Sequence, residues 1–149
     1  MSVQNPDALR DLGRVALAFQ RLERAAFEEF GPATETQCRI LAELLPARGM
    51  SISTLAMRVG SDRPWVSQVV ERMRAAGLVE REPDPEDRRR VRVRLTAAGR
   101  RSAAQLRISL QERIQRLLSR IPSSRRQLVL EALAPLADAL EGKDRRRPV

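Results

Sequence analysis

Histidine and tyrosine are absent from this chain, and cysteine occurs once, at Cys38. Without histidine there is no histidine-based catalytic triad, no histidine-containing zinc site and little general-base chemistry at neutral pH. A single cysteine forms no intrachain disulfide. Lysine occurs only at Lys143, so the positive charge is almost wholly guanidinium. Guanidinium favours bidentate contact with phosphate and guanine, although a genome-wide arginine bias would give the same composition. No apolar run is long enough for a membrane span, and the N-terminus lacks a signal-peptide pattern. These absences predict a cytoplasmic protein with no catalytic residues, no metal, no cofactor and no membrane partner.

The 149 residues suffice for one domain with a real core. Formal net charge is +9, which suits nucleic acid or an anionic surface without choosing between them. The surplus is uneven. Residues 1–52 hold six basic and seven acidic residues, 53–96 hold ten and seven, and 97–149 hold twelve and five. The excess therefore lies in the middle and the C-terminal third.

Asn5 or Asp7 is placed to cap a first helix reaching about Phe30, with Leu9, Leu12, Ala16, Phe19, Leu22, Ala26 and Phe30 as one apolar stripe. Gly31-Pro32 stops it. Thr34 or Thr36 starts a second helix through Ile40, Leu41, Leu44 and Leu45. Ser51 or Ser53 caps a short third helix whose inner face is Leu55, Ala56 and Val59. After Gly60-Ser61, Asp62 caps a fourth helix with Pro64 in its first turn. Val66, Val69, Val70 and Met73 form its buried face, leaving Arg63, Trp65, Gln68 and Arg72 to point elsewhere. Leu78–Arg81 reads as a short strand, and Glu82-Pro83-Asp84-Pro85-Glu86-Asp87 as a turn. From Arg90 to Leu95, arginine alternates with Val91, Val93 and Leu95, the period of a half-buried strand with one cationic face. From Ala97 a helix carries Leu106, Leu110, Ile114, Leu117 and Ile121 to the break at Pro122. A last helix carries Leu128, Leu133, Leu136 and Leu140, with a kink or an early end expected at Pro135. Two short helices with a tight turn, followed by a basic hairpin, make a winged helix-turn-helix. The expected fold class is mostly α with a small β wing.

Asp87, Arg89, Leu95 and Thr96 stand in the pattern D-x-R, five residues, L-T. With Gly77-Leu78-Val79 and Gly99, this run resembles the MarR (multiple antibiotic resistance regulator) family of bacterial transcription factors. The resemblance covers the centre of the chain well and the flanking helices by pattern only. It implies a single domain over 1–149: dimerisation helices at 1–34 and 97–141, the DNA-binding unit at 35–96, and a charged tail at 142–149. It also implies a homodimer on double-stranded DNA at a pseudo-palindromic operator, repressing a promoter and released by a small aromatic or anionic ligand. A non-specific architectural DNA-binding protein is the alternative.

The expected DNA contacts are Ser53, Arg63, Pro64, Trp65, Ser67, Gln68, Arg72, Arg88, Arg89, Arg90 and Arg92. The resemblance makes Arg89 the wing arginine that enters a minor groove. Gln68 suits a bidentate contact with adenine. Asp87, repelled by phosphate, is expected to shape the wing by orienting Arg89 or pairing with Arg72. Trp65 stands where the family usually has a small residue. Its neighbours place it at the groove or the helix edge, whereas a lone tryptophan more commonly belongs to a core. Leu9, Leu12, Phe19, Leu110, Ile114, Leu117, Leu133 and Leu136 are expected at the dimer interface, although such stripes could instead thicken a monomer core. Cys38 has no second cysteine to resolve an oxidised form and lies in the second helix. The family's peroxide sensors carry theirs in the first, so a buried structural thiol is expected.

Overall fold

A computed structural model describes residues 5–29 and 34–140. It has six helices and one two-stranded antiparallel sheet among those residues. The chain divides into two compact units, Met1–Gln111 and Glu112–Val149.

In the first unit, α1 spans Pro6–Glu29. Asn5, not Asp7, is its cap: Oδ1 accepts the backbone N–H groups of Asp7 and Ala8, both at 3.2 Å. Ion pairs one turn apart, Asp7–Arg10, Asp11–Arg14 and Arg24–Glu28, support the outer surface. The expected stop at Gly31-Pro32 and the apolar contact of Phe30 lie outside the described residues.

α2 spans Glu35–Leu44 and begins in a capping box, Thr34 accepting the Gln37 N–H while the Gln37 side chain accepts the Thr34 N–H. α3 spans Ile52–Val59 and is capped by Ser51, so Ser53 is the second residue of its first turn and faces solvent. α4 spans Arg63–Ala75, with Asp62 accepting the Trp65 N–H at 2.8 Å and Pro64 in the first turn. Its apolar residues fall at spacings of three and four, so Val66, Val69, Val70 and Met73 all reach the core. Around them pack Cys38, Ile40, Leu41, Leu44, Leu55, Val59, Val79, Val93, Leu95 and Leu106.

Gly77, at φ +71°, turns the chain out of α4 in the left-handed region. The wing strands are β1, Val79–Pro83, and β2, Val91–Leu95, in the register Val79–Leu95, Arg81–Val93 and Pro83–Val91. β1 therefore starts and ends later than Leu78–Arg81, because cross-strand bonding carries Glu82 and Pro83 into the ladder. β2 starts at Val91, which is exposed, so the apolar face consists of Val93 and Leu95. Sequence periodicity missed one partner. Met50 exchanges two backbone hydrogen bonds with Val93, at 2.9 and 2.7 Å, and ties the wing to the α2–α3 connection.

α5 spans Ala97–Ser119 and enters over the wing. Thr96 Oγ1 donates to the Gly77 carbonyl at 2.6 Å and accepts the Gly99 N–H at 3.0 Å. A Cβ on Gly99 would stand 1.9 Å from the Leu78 carbonyl oxygen, so only glycine fits this approach.

In the second unit, Arg126 donates to the Ser119 and Ile121 carbonyls and closes the turn at Pro122. α6 spans Ser123–Leu140. The early end expected at Pro135 does not occur: the helix runs five residues beyond it. Proline removes one N–H and leaves the flanking ladder able to continue. No side chain between 112 and 140 is buried. The charged tail at 142–149 lies outside the described residues. No helix among the described residues is long and apolar enough to cross a membrane.

Candidate nucleic-acid interface

The open face of α4 and the tip of the wing carry the candidate contacts. On α4, burying Val66, Val69, Val70 and Met73 turns Arg63, Pro64, Trp65, Gln68 and Arg72 to solvent, with Ser67 half-buried. Trp65 is neither core nor free surface. It is 39% exposed, and its indole N–H donates to Thr36 Oγ1 of α2 at 3.2 Å. The Arg72 guanidinium lies 5.1 Å from the centre of its ring. Thr36 had been a candidate cap; the structure gives the cap to Thr34 and leaves Thr36 to hold the indole.

The wing tip is folded by its acids. Asp84 accepts the Glu86 N–H at 2.9 Å, and Asp87 accepts the Arg89 N–H at 3.1 Å. These side-chain turns project the arginines outward. The Asp87 carboxylate also meets Arg90 at 3.3 Å. It thus fixes the Arg89 backbone, and its ion pair is with Arg90 rather than Arg72.

Acidic partners sort the arginines of this region. Of the ten basic residues in 53–96, Arg58 meets Glu43, Arg74 and Arg81 share Glu71, Arg90 meets Asp87, and Arg92 and Arg94 meet Glu82. Arg94 also reaches Glu80 across the ladder at 2.8 Å. Period two had implied a free cationic face on β2, but the register places a glutamate opposite both inner arginines. Arg92, with a side chain only 21% exposed, is held on the sheet by Glu82. Arg63, Arg72, Arg88 and Arg89 have no carboxylate partner among the described residues, and all four are exposed. They occupy the open face of α4 and the tip of the wing.

A cavity of about 390 Å³ lies elsewhere in the first unit, between α1, α2, α3 and α5. Phe27, Val59, Leu106 and Leu110 line it with Arg39, Arg58 and Arg107. Arg39 is engaged by Glu23 at 3.4 Å and Glu35 at 3.0 Å, and Arg58 by Glu43. Arg107 has no carboxylate partner among the described residues. The sequence had not singled out these arginines, since no local spacing joins four helices. Cys38 is fully buried in the core, and burial, then the Glu35 carboxylate, pushes its pKa from 9.0 to about 11.

The residues placed at the dimer interface in sequence lie largely in the open. Leu9, Leu12 and Phe19 are exposed on α1, and Leu117, Leu133 and Leu136 are exposed in the second unit. Leu110 and Ile114 are half-buried.

A recognition helix packed on two shorter helices and followed by a hairpin with a basic tip defines a winged helix-turn-helix protein. The MarR family's sequence model matches residues 33–91. Over those residues the chain is similar to the MarR family, whose members are DNA-binding transcriptional regulators. It is 27% identical over 108 residues to YdgJ of Bacillus subtilis, an uncharacterised HTH-type transcriptional regulator. That alignment covers 72% of this chain and 66% of the relative, just under two thirds of its length. Among solved structures, RV1404 from Mycobacterium tuberculosis superposes with a TM-score of 0.74 at 23% identity, covering 93% of this chain and 97% of that one. The PcaV transcriptional regulator from Streptomyces coelicolor, in complex with its natural ligand, superposes at 0.59 with 27% identity, covering 86% and 92%.

Proposed function

We propose that the chain is a homodimeric transcriptional repressor that occupies a pseudo-palindromic promoter site and is released by a small aromatic or anionic ligand. The observation that carries the DNA reading is the sorting of arginines. Among the described residues, acids cancel the charge on the flanks of the unit and leave it uncancelled at Arg63, Arg72, Arg88 and Arg89. Unpaired guanidinium groups on a recognition helix and a wing tip suit phosphate walls and base edges. Ser53, Pro64, Ser67 and Gln68 complete the helix-turn-helix contacts, and Arg90 adds a phosphate contact beside Asp87. Arg92 serves the wing through Glu82.

Two copies related by a two-fold axis would set their recognition helices about 34–36 Å apart, one turn of DNA. The exposed leucines of α1 and α6 supply the apolar surface such a pairing buries. The ligand reading rests on the cavity, whose apolar wall and Arg107, without a carboxylate partner among the described residues, suit an anion with a hydrophobic body.

Selection of bound fragments from a random DNA pool tests the function. A two-fold symmetric consensus supports a sequence-specific dimer. Retention of every fragment alike, with a steep salt dependence, would make the protein a non-specific architectural binder instead. Adding benzoate-type acids to the bound complex tests release.

A further inference from the structure

We infer that Trp65 is a platform that aims Arg72 at a guanine, so that the two together set base preference at one position of each half-site. This deepens the DNA reading above and rests on it. Trp65, Gln68 and Arg72 stand at i, i+3 and i+7 of α4, one stripe along its open face. The indole is 39% exposed on that face, so a ligand can reach it.

The Trp65 backbone is fixed by the Asp62 cap, and its indole N–H is bonded to Thr36 on a different helix. It therefore offers Arg72 a fixed surface. At 5.1 Å from the ring centre, the guanidinium is within the range of a cation–π contact. A guanidinium laid face-on over the ring at that distance would keep its N–H edge for a base. The edge is the planar fork that matches O6 and N7 of guanine.

The neighbouring charges make the assignment specific to Arg72. Arg74, two residues on, is spent on Glu71 at 3.0 Å, together with Arg81 at 2.7 Å. Arg72 has no carboxylate partner among the described residues, so its charge and donors remain available. A long side chain already held by its contact with the ring also loses less rotamer freedom on binding. Lysine could not replace it, because an ammonium has no planar fork.

The test is affinity for the selected operator and for operators with each half-site base replaced in turn. Wild type is compared with Arg72→Ala, Arg72→Lys, Trp65→Ala, Trp65→Phe and Thr36→Val, with thermal unfolding confirming that each is folded. Wild type should prefer guanine at one position by on the order of 10-fold. Arg72→Ala and Arg72→Lys should erase that preference alone. Trp65→Ala should weaken it at the same position, and the double variant Trp65→Ala with Arg72→Ala should be no worse than Arg72→Ala. Trp65→Phe and Thr36→Val keep a folded helix while loosening the platform, so both should give a partial loss. A uniform loss over all sequences in Trp65→Ala would overturn the proposal. So would an Arg72→Ala protein that keeps its base preference and only loses salt dependence, since Arg72 would then be a phosphate contact. In either case the palindromic reading survives; a wild type that selects no sequence would bring both down together.

Discussion

Cys38 illustrates how burial sets the chemistry of a single residue. The thiolate is the reactive form of cysteine, and a pKa of about 11 keeps Cys38 a thiol at neutral pH. In the unfolded chain the same thiol ionises near 9.0. The stabilisation from burying the neutral thiol is therefore complete below pH 9 and is lost as pH rises through 11. The sequence has no tyrosine and one lysine, so few other side chains titrate in that window. Urea unfolding at pH 8, 9.5 and 11 should show stability falling, at a slope no steeper than about 1.4 kcal/mol per pH unit, the limit for one proton. Cys38→Ala should flatten that decline. The wing arginines form a second contrast. Arg89→Ala should cost on the order of 1–3 kcal/mol of operator affinity and lower the salt slope by about one unit. Arg92→Ala removes a charge already matched by Glu82, so it should change thermal stability more than salt slope. Equal changes in slope would return Arg92 to the DNA surface.

Between elements, the tightest fit is the entry of α5 over the wing. Thr96 bridges the Gly77 carbonyl and the Gly99 N–H, and the Leu78 carbonyl occupies the place of a Gly99 side chain. Gly99→Ala must push α5 from the β1 end of the wing. Thermal or denaturant unfolding should register a loss of at least about 1–3 kcal/mol, the usual cost of overpacking. Gly13 is the control. It lies on exposed α1 with nothing within 4 Å of an added Cβ, so Gly13→Ala should stabilise the helix by roughly 0.5–1 kcal/mol. Glycine thus has opposite value at the two positions, although each sits in a helix. The difference is the backbone carbonyl that meets one and not the other.

At the scale of the whole molecule, the proposed homodimer accounts for the apolar surface left open on the single chain. Every residue from Asn5 to Arg21 is exposed, and the second unit buries no side chain among its described residues. Helical stability in proteins comes mainly from packing an apolar face, and α1 has a stripe with nothing on most of it. A second copy covering α1 and α6, as proposed above, would resolve both. Sedimentation at micromolar protein should give twice the 16.8 kDa chain mass. The midpoint of thermal unfolding should rise with protein concentration, as mass action requires. Leu12→Glu or Leu136→Glu should shift the equilibrium toward monomer and weaken palindrome binding. A 16.8 kDa species with a concentration-independent midpoint would rule the dimer out.

Period and punctuation made the architecture legible without coordinates. Asn5, Thr34, Ser51 and Asp62 are short polar residues just ahead of helical apolar spacing, and each is an N-cap, because capping is settled within one turn of chain. The wing motif and the buried face of α4 likewise follow from local order. What local order could not show is which charges meet. Glutamates ten and fourteen residues before Arg92 and Arg94 neutralise them only because the hairpin register sets Glu82 and Glu80 opposite. Thr36 reaches Trp65 across 29 positions, Met50 joins Val93 across the core unit, and four helices converge on the cavity arginines. Hydrophobic pattern and caps are short-range and so are written along the chain. Cancellation of charge is short-range in space but not in sequence, so only the tertiary structure decided which arginines stayed free.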